Sequence, residues 1–236
     1  MKPASIPLLL GIVAALLLLI SGPGTRLDLW EFRTGFQFLK WAAYIGLAAS
    51  VLALVLLMLP RVRRRGFAGL VVALGLGLGV AYVPWSGMQR ARSVPPIHDI
   101  STDTTRPPEF VAMLPLRADA PNPVEYGGPE VAAAQLAGYP DVQTHRIAAA
   151  PAQVFERAQQ AARGLGWEIV AADPAAGRIE ATDTTFWFGF KDDVVIRIEP
   201  DASGSKVDVR SLSRVGGSDV GANAARIRAF LKALGG

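Results

Sequence analysis

The chain contains no cysteine. Disulfides, thiolate nucleophiles and cysteine-ligated metal sites are therefore excluded, and the redox compartment is left open. Imidazole is nearly as scarce, with His98 and His145 alone. The sequence also lacks a nucleophile-elbow pattern, an HExxH pair, a CxxC pair and the lysine and spacing of a phosphate-binding P-loop, so no signature of a known catalytic class is present. A third absence is positional. Three apolar runs, at about 6–20, 41–59 and 67–88, contain no Asp, Glu, Lys, Arg or His. Transporters and proton relays need ionisable or unwound polar sites at mid-depth, so these runs read as an anchor.

The net charge of +4 suggests nucleic acid until it is divided. Residues 1–92 carry ten basic and two acidic side chains, a net of +8, and the remaining fourteen basic and eighteen acidic side chains give −4. An acidic soluble part is a poor binder of phosphate backbones, so no nucleic-acid partner is expected; the basic surplus belongs to the membrane region, whose partner is the lipid bilayer.

The first run follows Lys2 as a signal peptide would, but no small-x-small cleavage site follows in Ser21-Gly22-Pro23-Gly24, and a retained helix is expected. Arg61, Arg63, Arg64 and Arg65 form a basic loop between the second and third runs. The positive-inside rule keeps that loop cytoplasmic and puts everything after Met88 outside. The aromatics agree: Trp30, Phe32, Phe36, Phe38, Trp41 and Tyr44 mark one outer boundary, Tyr82 and Trp85 the other. Gly75 and Gly79 form a small-xxx-small face that would allow close helix approach, within the chain or in a homo-oligomer. The expected location is the inner membrane, multi-pass, with the C-terminal part extracytoplasmic.

Residues 93–110, S-V-P-P-I-H-D-I-S-T-D-T-T-R-P-P-E-F, join the two parts. Two proline pairs favour extended, semi-rigid backbone over a slack tether. Between them lie His98, Asp99, Ser101, Thr102 and Asp103, a set that suits a ligand or metal site. The same residues also build turns by bonding their own backbone, which favours docking of the segment against the domain. Up to residue 141 the chain is rich in Pro, Gly and Ala, with one short helix near 129–136.

From residue 142 the pattern is regular. It predicts a strand at 143–148, then a helix from Pro151 with Val154, Phe155, Ala158, Ala161, Ala162 and Leu165 on one stripe. Strands follow at 167–172, 178–185, 193–199 and 206–212, and a last helix capped by Ser218 or Asp219. The order β-α-β-β-β-β-α predicts an α+β domain over 142–236, two helices gripping one face of an antiparallel sheet, behind three transmembrane helices in 1–92 and the Pro-rich segment 93–141.

The motifs P-P-I-H-D-I-S-T-D at 95–103, F-G-F-K-D-D-V-V-I-R-I at 188–198 and V-D-V-R-S-L-S-R-V-G-G-S-D-V-G-A-N-A-A-R-I-R-A-F at 207–230 resemble the family called domain of unknown function 1499, over roughly 93–234. The resemblance implies a bacterial membrane-attached domain with relatives in plastids, and it brings no catalytic residues or cofactor to carry over.

Two further groups stand out. Arg210, Arg214, Ser218, Asp219, Asn223 and Arg226 surround glycines that lead into a helix; they can cradle an anion, or simply cap the helix with Asp219 paired to an arginine. Phe186, Phe188 and Phe190 alternate, which on an extended strand places them together on the solvated face. A strand bulge, cover by the Pro-rich segment, lipid or a partner must then shield them. The sequence reads as a membrane protein presenting a binding or interaction domain in the cell envelope, to a protein or lipid partner and without a cofactor. The alternative is a membrane-tethered hydrolase or metal-dependent enzyme built on 95–103.

Overall fold

The computed structural model describes residues 4–235. It has two units, Met1–Arg90 with Phe186–Gly189, and Ala91–Thr185 with Phe190–Gly236.

Three helices make the first unit: α1 (Ser5–Arg26), α2 (Phe32–Met58) and α3 (Pro60–Ser93), whose last residues enter the second. All three are long and apolar enough to cross a membrane. At 1.5 Å per residue α1 is about 33 Å long, against a hydrocarbon core of about 30 Å. It continues through Ser21-Gly22-Pro23-Gly24, beyond the apolar run read from sequence. The expected basic loop is helical instead. Leu59 alone separates α2 from α3, Pro60 opens α3, and the arginines lie exposed in its first turns before a kink at Gly66.

The helix crossing also differs from the expected one. Gly46 of α2 and Gly77 of α3 meet backbone to backbone, and a Cβ on either would strike the other. The Ser50 hydroxyl donates to the Leu74 carbonyl at 3.1 Å beside them. Gly75 and Gly79 take no part: a Cβ at either meets nothing within 4 Å.

The second unit is α+β. Its antiparallel sheet has the order β1 (Asp99–Ser101), β6 (Gly204–Ser213), β5 (Lys191–Asp201), β4 (Arg178–Thr184), β3 (Glu168–Asp173). The short β2 (His145–Ile147) shares with β1 the outer edge of β6. Strand β1 lies inside the segment read as a linker; that segment begins the sheet. One face of the sheet carries Ile179, Ala181, Val194, Ile196, Ile198, Val207 and Val209, packed under α5 (Pro151–Gly164) and α6 (Ala222–Gly235). The helical stripe predicted for α5 supplies Val154, Phe155, Ala158 and Ala162, all buried, and Trp167 stacks on Phe230 with ring centroids 5.4 Å apart. The other face is covered by irregular chain, residues 103–127, which holds a single 3-10 turn at Leu114–Arg117. Beyond it α4 (Gly128–Gly138) projects Gln135, whose amide accepts from the Ser101 N–H at 2.9 Å and donates to the Ser101 carbonyl at 2.6 Å. A side chain thus completes the ladder at the β1 edge.

Candidate functional site

The face beneath residues 103–127 is built from side chains that alternate with the apolar ones: Glu180 and Thr182 of β4, Asp193, Val195 and Arg197 of β5, Asp208, Arg210 and Leu212 of β6. Strand alternation puts them on the side away from α5 and α6. An irregular segment laid over a sheet brings backbone N–H and C=O groups with no ladder to join, and each must find a partner. The sheet's charged side chains supply those partners. The Glu180 carboxylate, fully buried, accepts from the N–H groups of Val111, Ala112 and Met113 at 2.8–3.1 Å and from Arg178 Nε at 3.0 Å. Arg210 donates to the carbonyls of Pro108 and Val124 and Arg197 to that of Arg106, while Arg117, within the segment itself, donates to that of Asn122. Phe110 and Met113 fill the space between with Val195 and Leu212.

The residues expected to form a site in 95–103 belong to this clamp. Asp99 is buried and holds Arg210 in a two-point pair, Oδ1 to Nε at 2.9 Å and Oδ2 to Nη2 at 2.8 Å. Ser101 donates to the Asp103 carbonyl, and Thr102 donates to Asp208 Oδ1 while accepting the Val209 N–H. Asp103 Oδ1 accepts from the N–H groups of Thr105 and Arg106 and from the Thr105 hydroxyl, a turn of the kind its residue types favour; Oδ2 meets Arg197 and Lys206. Burial works to raise its pKa, but the Arg106 N–H, the Thr105 hydroxyl and Lys206 outweigh it and hold the carboxyl well below its ordinary value. His98 enters through its carbonyl, which accepts from the Ser213 N–H and the Asn223 amide. Among the described residues no three His, Asp or Glu side chains converge as a metal site.

The second expected group divides between the two sides of the sheet. Arg210 and Arg214 lie on the clamp side, where Arg214 grips Asp193 through Nε and Nη2, both at 2.8 Å, opposite Arg117 at 2.6 Å. Asn223 and Arg226 lie on the helix side. Arg226 pairs with Asp183 and Asp192, and with Asn223, which also binds Ser211 and Ser213. Ser218 accepts the Val220 N–H, and Asp219 accepts those of Gly221 and Asn223 at 2.8 and 2.6 Å, the capping role its position suggests. Burial, and behind it the charge of Asp192, raise the Asp219 carboxyl above its ordinary value against those hydrogen bonds. No single anion cradle joins the six.

The three phenylalanines do not share a strand face. β4 ends at Thr184, and Phe186, Trp187 and Phe188 form a turn closed by Thr185, whose N–H donates to the Phe190 carbonyl and whose hydroxyl accepts the Phe190 N–H. Gly189, at φ +70°, supplies the left-handed residue this reversal requires.

A cavity of about 450 Å³ lies between Pro151, Phe155, Pro174 and Ile198, and two others open to a ligand flank residues 107–110. One, about 310 Å³, is lined by Arg106, Arg178, Arg197, Val111 and Val195. The other, about 410 Å³, is lined by Phe110, Leu114, Val124, Tyr126 and Arg210, with Glu109 and Glu125 exposed at its rim. Both fall in the size range of small-molecule sites. In the larger, the Arg210 guanidinium sits between the rings of Phe110 and Tyr126, 5.3 and 5.5 Å from their centroids. The Tyr126 hydroxyl is buried without a hydrogen-bond partner, and burial, aided by the Asp99 charge, pushes it up to about 12 against the pull of Arg210. Of these lining residues sequence reasoning singled out Arg210 alone, and it passed over Glu180, Asp193 and Arg117, because charges alternating within strands look like an ordinary solvated face and Arg117 lies in a segment without periodicity. The one available signal was Glu180, Asp193, Asp208 and Arg210 falling on the same side of three successive strands.

No curated protein matches the chain. The family model described as protein of unknown function (DUF1499) matches residues 99–234, from the first residue of β1 into the last turn of α6, so the chain belongs to the DUF1499 family and joins that domain to three apolar helices long enough to cross a membrane.

Proposed function

We propose that this membrane protein lies in the inner membrane, holds its α+β domain on the extracytoplasmic side, and uses that domain as a binding module. The observation that carries the reading is the cavity of about 410 Å³ walled by Leu114, Val124 and Tyr126 over a floor that the pairing of Asp99 with Arg210 holds in place. Preorganised apolar walls with a few fixed polar groups suit selective capture of a small molecule. The buried carboxylates beneath residues 103–127, Asp99, Glu180 and Asp193, are committed to guanidinium or backbone donors, and the two at the cavity rim, Glu109 and Glu125, are exposed. That arrangement favours a rigid scaffold over a group that moves a proton. The hydrolase reading built on 95–103 is less well supported, because neither His98 nor Asp103 lines the cavities of 310, 410 and 450 Å³. Orientation rests on Arg61, Arg63, Arg64 and Arg65 at the start of α3.

Native mass spectrometry of the full chain, released gently from the envelope, tests the binding reading. The wild type is expected to carry a small molecule that Leu114→Trp, which fills the cavity mouth, loses while keeping its fold. A bare wild type, or a ligand kept by the filled variant, would overturn the proposal. Alkaline phosphatase fused to the C-terminus is expected to be active, and an inactive fusion would reverse the orientation.

A further inference from the structure

The turn Phe186–Gly189 groups with the helical unit, and its environment there identifies a partner. Trp187 donates from Nε1 to the Ser21 hydroxyl at 3.4 Å, Phe188 meets Phe36 edge to face with centroids 5.0 Å apart, and Arg26 Nη1 donates to the Phe186 carbonyl at 2.7 Å. The helices are cut to receive the turn. A Cβ at Gly22 would overlap Trp187, and one at Gly35 would press on Phe188. Ser21 and Gly22 are about one turn from the end of α1, and Gly35 and Phe36 lie in the first turns of α2. This is the level at which a span of about 33 Å leaves a hydrocarbon core of about 30 Å. Trp30, Phe38 and Trp41 are at the same end of α2, the place where aromatic belts meet lipid headgroups. Phe186 nevertheless stays 84% exposed, a large apolar ring held outward beside the Arg26 guanidinium at 6.0 Å.

We propose that Phe186 is a bilayer anchor: the turn Phe186–Gly189, fixed to the ends of α1 and α2 by Trp187 and Phe188, inserts the Phe186 ring among the lipid headgroups and upper acyl chains. A ring left exposed in water costs apolar hydration, and the interface removes that cost. Arg26 fits the same level, since an arginine at the end of a span keeps its charge among headgroups while its stem lies along apolar surface. The inference is independent of any ligand in the cavities.

The absence of cysteine makes the test direct. The full chain carrying Phe186→Cys, labelled with an environment-sensitive fluorophore, is placed in phosphatidylethanolamine and phosphatidylglycerol vesicles. Ala202→Cys, in the exposed β5–β6 turn, is the reference. The label at 186 should emit to the blue of the reference, lose most of its intensity to a nitroxide carried near the lipid headgroup, and be shielded from aqueous iodide. Because the substituted ring is the exposed one, the Trp187 and Phe188 contacts that seat the turn remain, and a chain labelled at Ser203→Cys controls for assembly. Equal iodide quenching at 186 and at the reference would overturn the proposal. So would protection from both quenchers, which would assign the ring to a protein partner.

Discussion

The two faces of the sheet are buried by opposite means. Under α5 and α6 the contacts are mainly apolar, Ile179, Val194, Ile196 and Val209 against Val154, Phe155, Ile227 and Phe230, with one buried polar group, Arg226, Asn223, Asp192 and Ser211, at the start of α6. Under residues 103–127 the sheet presents Glu180, Asp193, Asp208 and Arg210, all buried. The covers explain the difference. A helix satisfies its own backbone and needs from the sheet only apolar area, whereas an irregular segment arrives with open N–H and C=O groups. The charged face serves it as a substitute ladder. Glu180 collects three consecutive N–H groups, and Arg197 and Arg210 each reach a carbonyl of that segment, the strap. One face is held by area and the other by direction, so they should fail differently.

The sharpest break is Asp193→Ala, which leaves buried Arg117 and half-buried Arg214 without their shared carboxylate; a loss of about 3–5 kcal/mol is expected. Hydrogen exchange of the full chain should show residues 103–127 and β5 opening together. Phe230→Ala removes a comparable amount, about 3–5 kcal/mol, by leaving a cavity against Trp167. Here exchange should rise in α6 and β3 before it rises in 103–127. If both variants open the same segments first, the two faces are not separate devices. Glu180→Gln is milder. It keeps an acceptor but turns an amide NH2 toward N–H donors, and charge-assisted bonds to Val111, Ala112 and Met113 are lost, for about 1.5–3 kcal/mol. Exchange at residues 111–113 should rise most.

The same contrast explains what the sequence reveals. The helix-covered face follows periodicity: apolar residues alternate in the strands and repeat at helical spacing from Pro151 on, so the α+β class and the element order were legible. The strap has no period, and its partners are charges that a strand normally shows to water. Asp99, Asp103 and Arg210 therefore looked like ligand-binding groups when each has a partner far along the chain, Asp99 with Arg210 and Asp103 with Arg197 and Lys206. The phenylalanines misled for a local reason. Their alternation mimics a strand, but Gly189 at positive φ turns the chain there. The helix crossing was missed because the sequence places several glycines near each other in α3, and only the Gly46 match selects Gly77.

The smallest effect separates the faces by sign. Asp103, in the clamp, has its carboxyl held well below the ordinary value, chiefly by the Arg106 N–H and the Thr105 hydroxyl acting against burial. The folded state thus prefers the ionised form. That stabilisation is complete above the unfolded value of about 4 and is lost as pH falls toward the depressed folded value. Asp219, at the start of α6, is raised by burial, so the folded state prefers the protonated form. Its stabilisation is present below the unfolded value and fades as pH rises through the folded one. Measured by exchange in the full chain between about pH 3 and about pH 7, the deficit of Asp103→Asn relative to wild type should grow as pH rises, because the wild type gains what the variant lacks. The deficit of Asp219→Asn should shrink over the same interval, since the wild type is then carrying a buried charge beside Asp192. Amide exchange local to residues 103–106 and 219–223 reads each contribution where it arises. A change of the same sign in both variants would mean that the strap-side carboxylate is not held in its charged form by the clamp, and the difference between the two faces would reduce to apolar area alone.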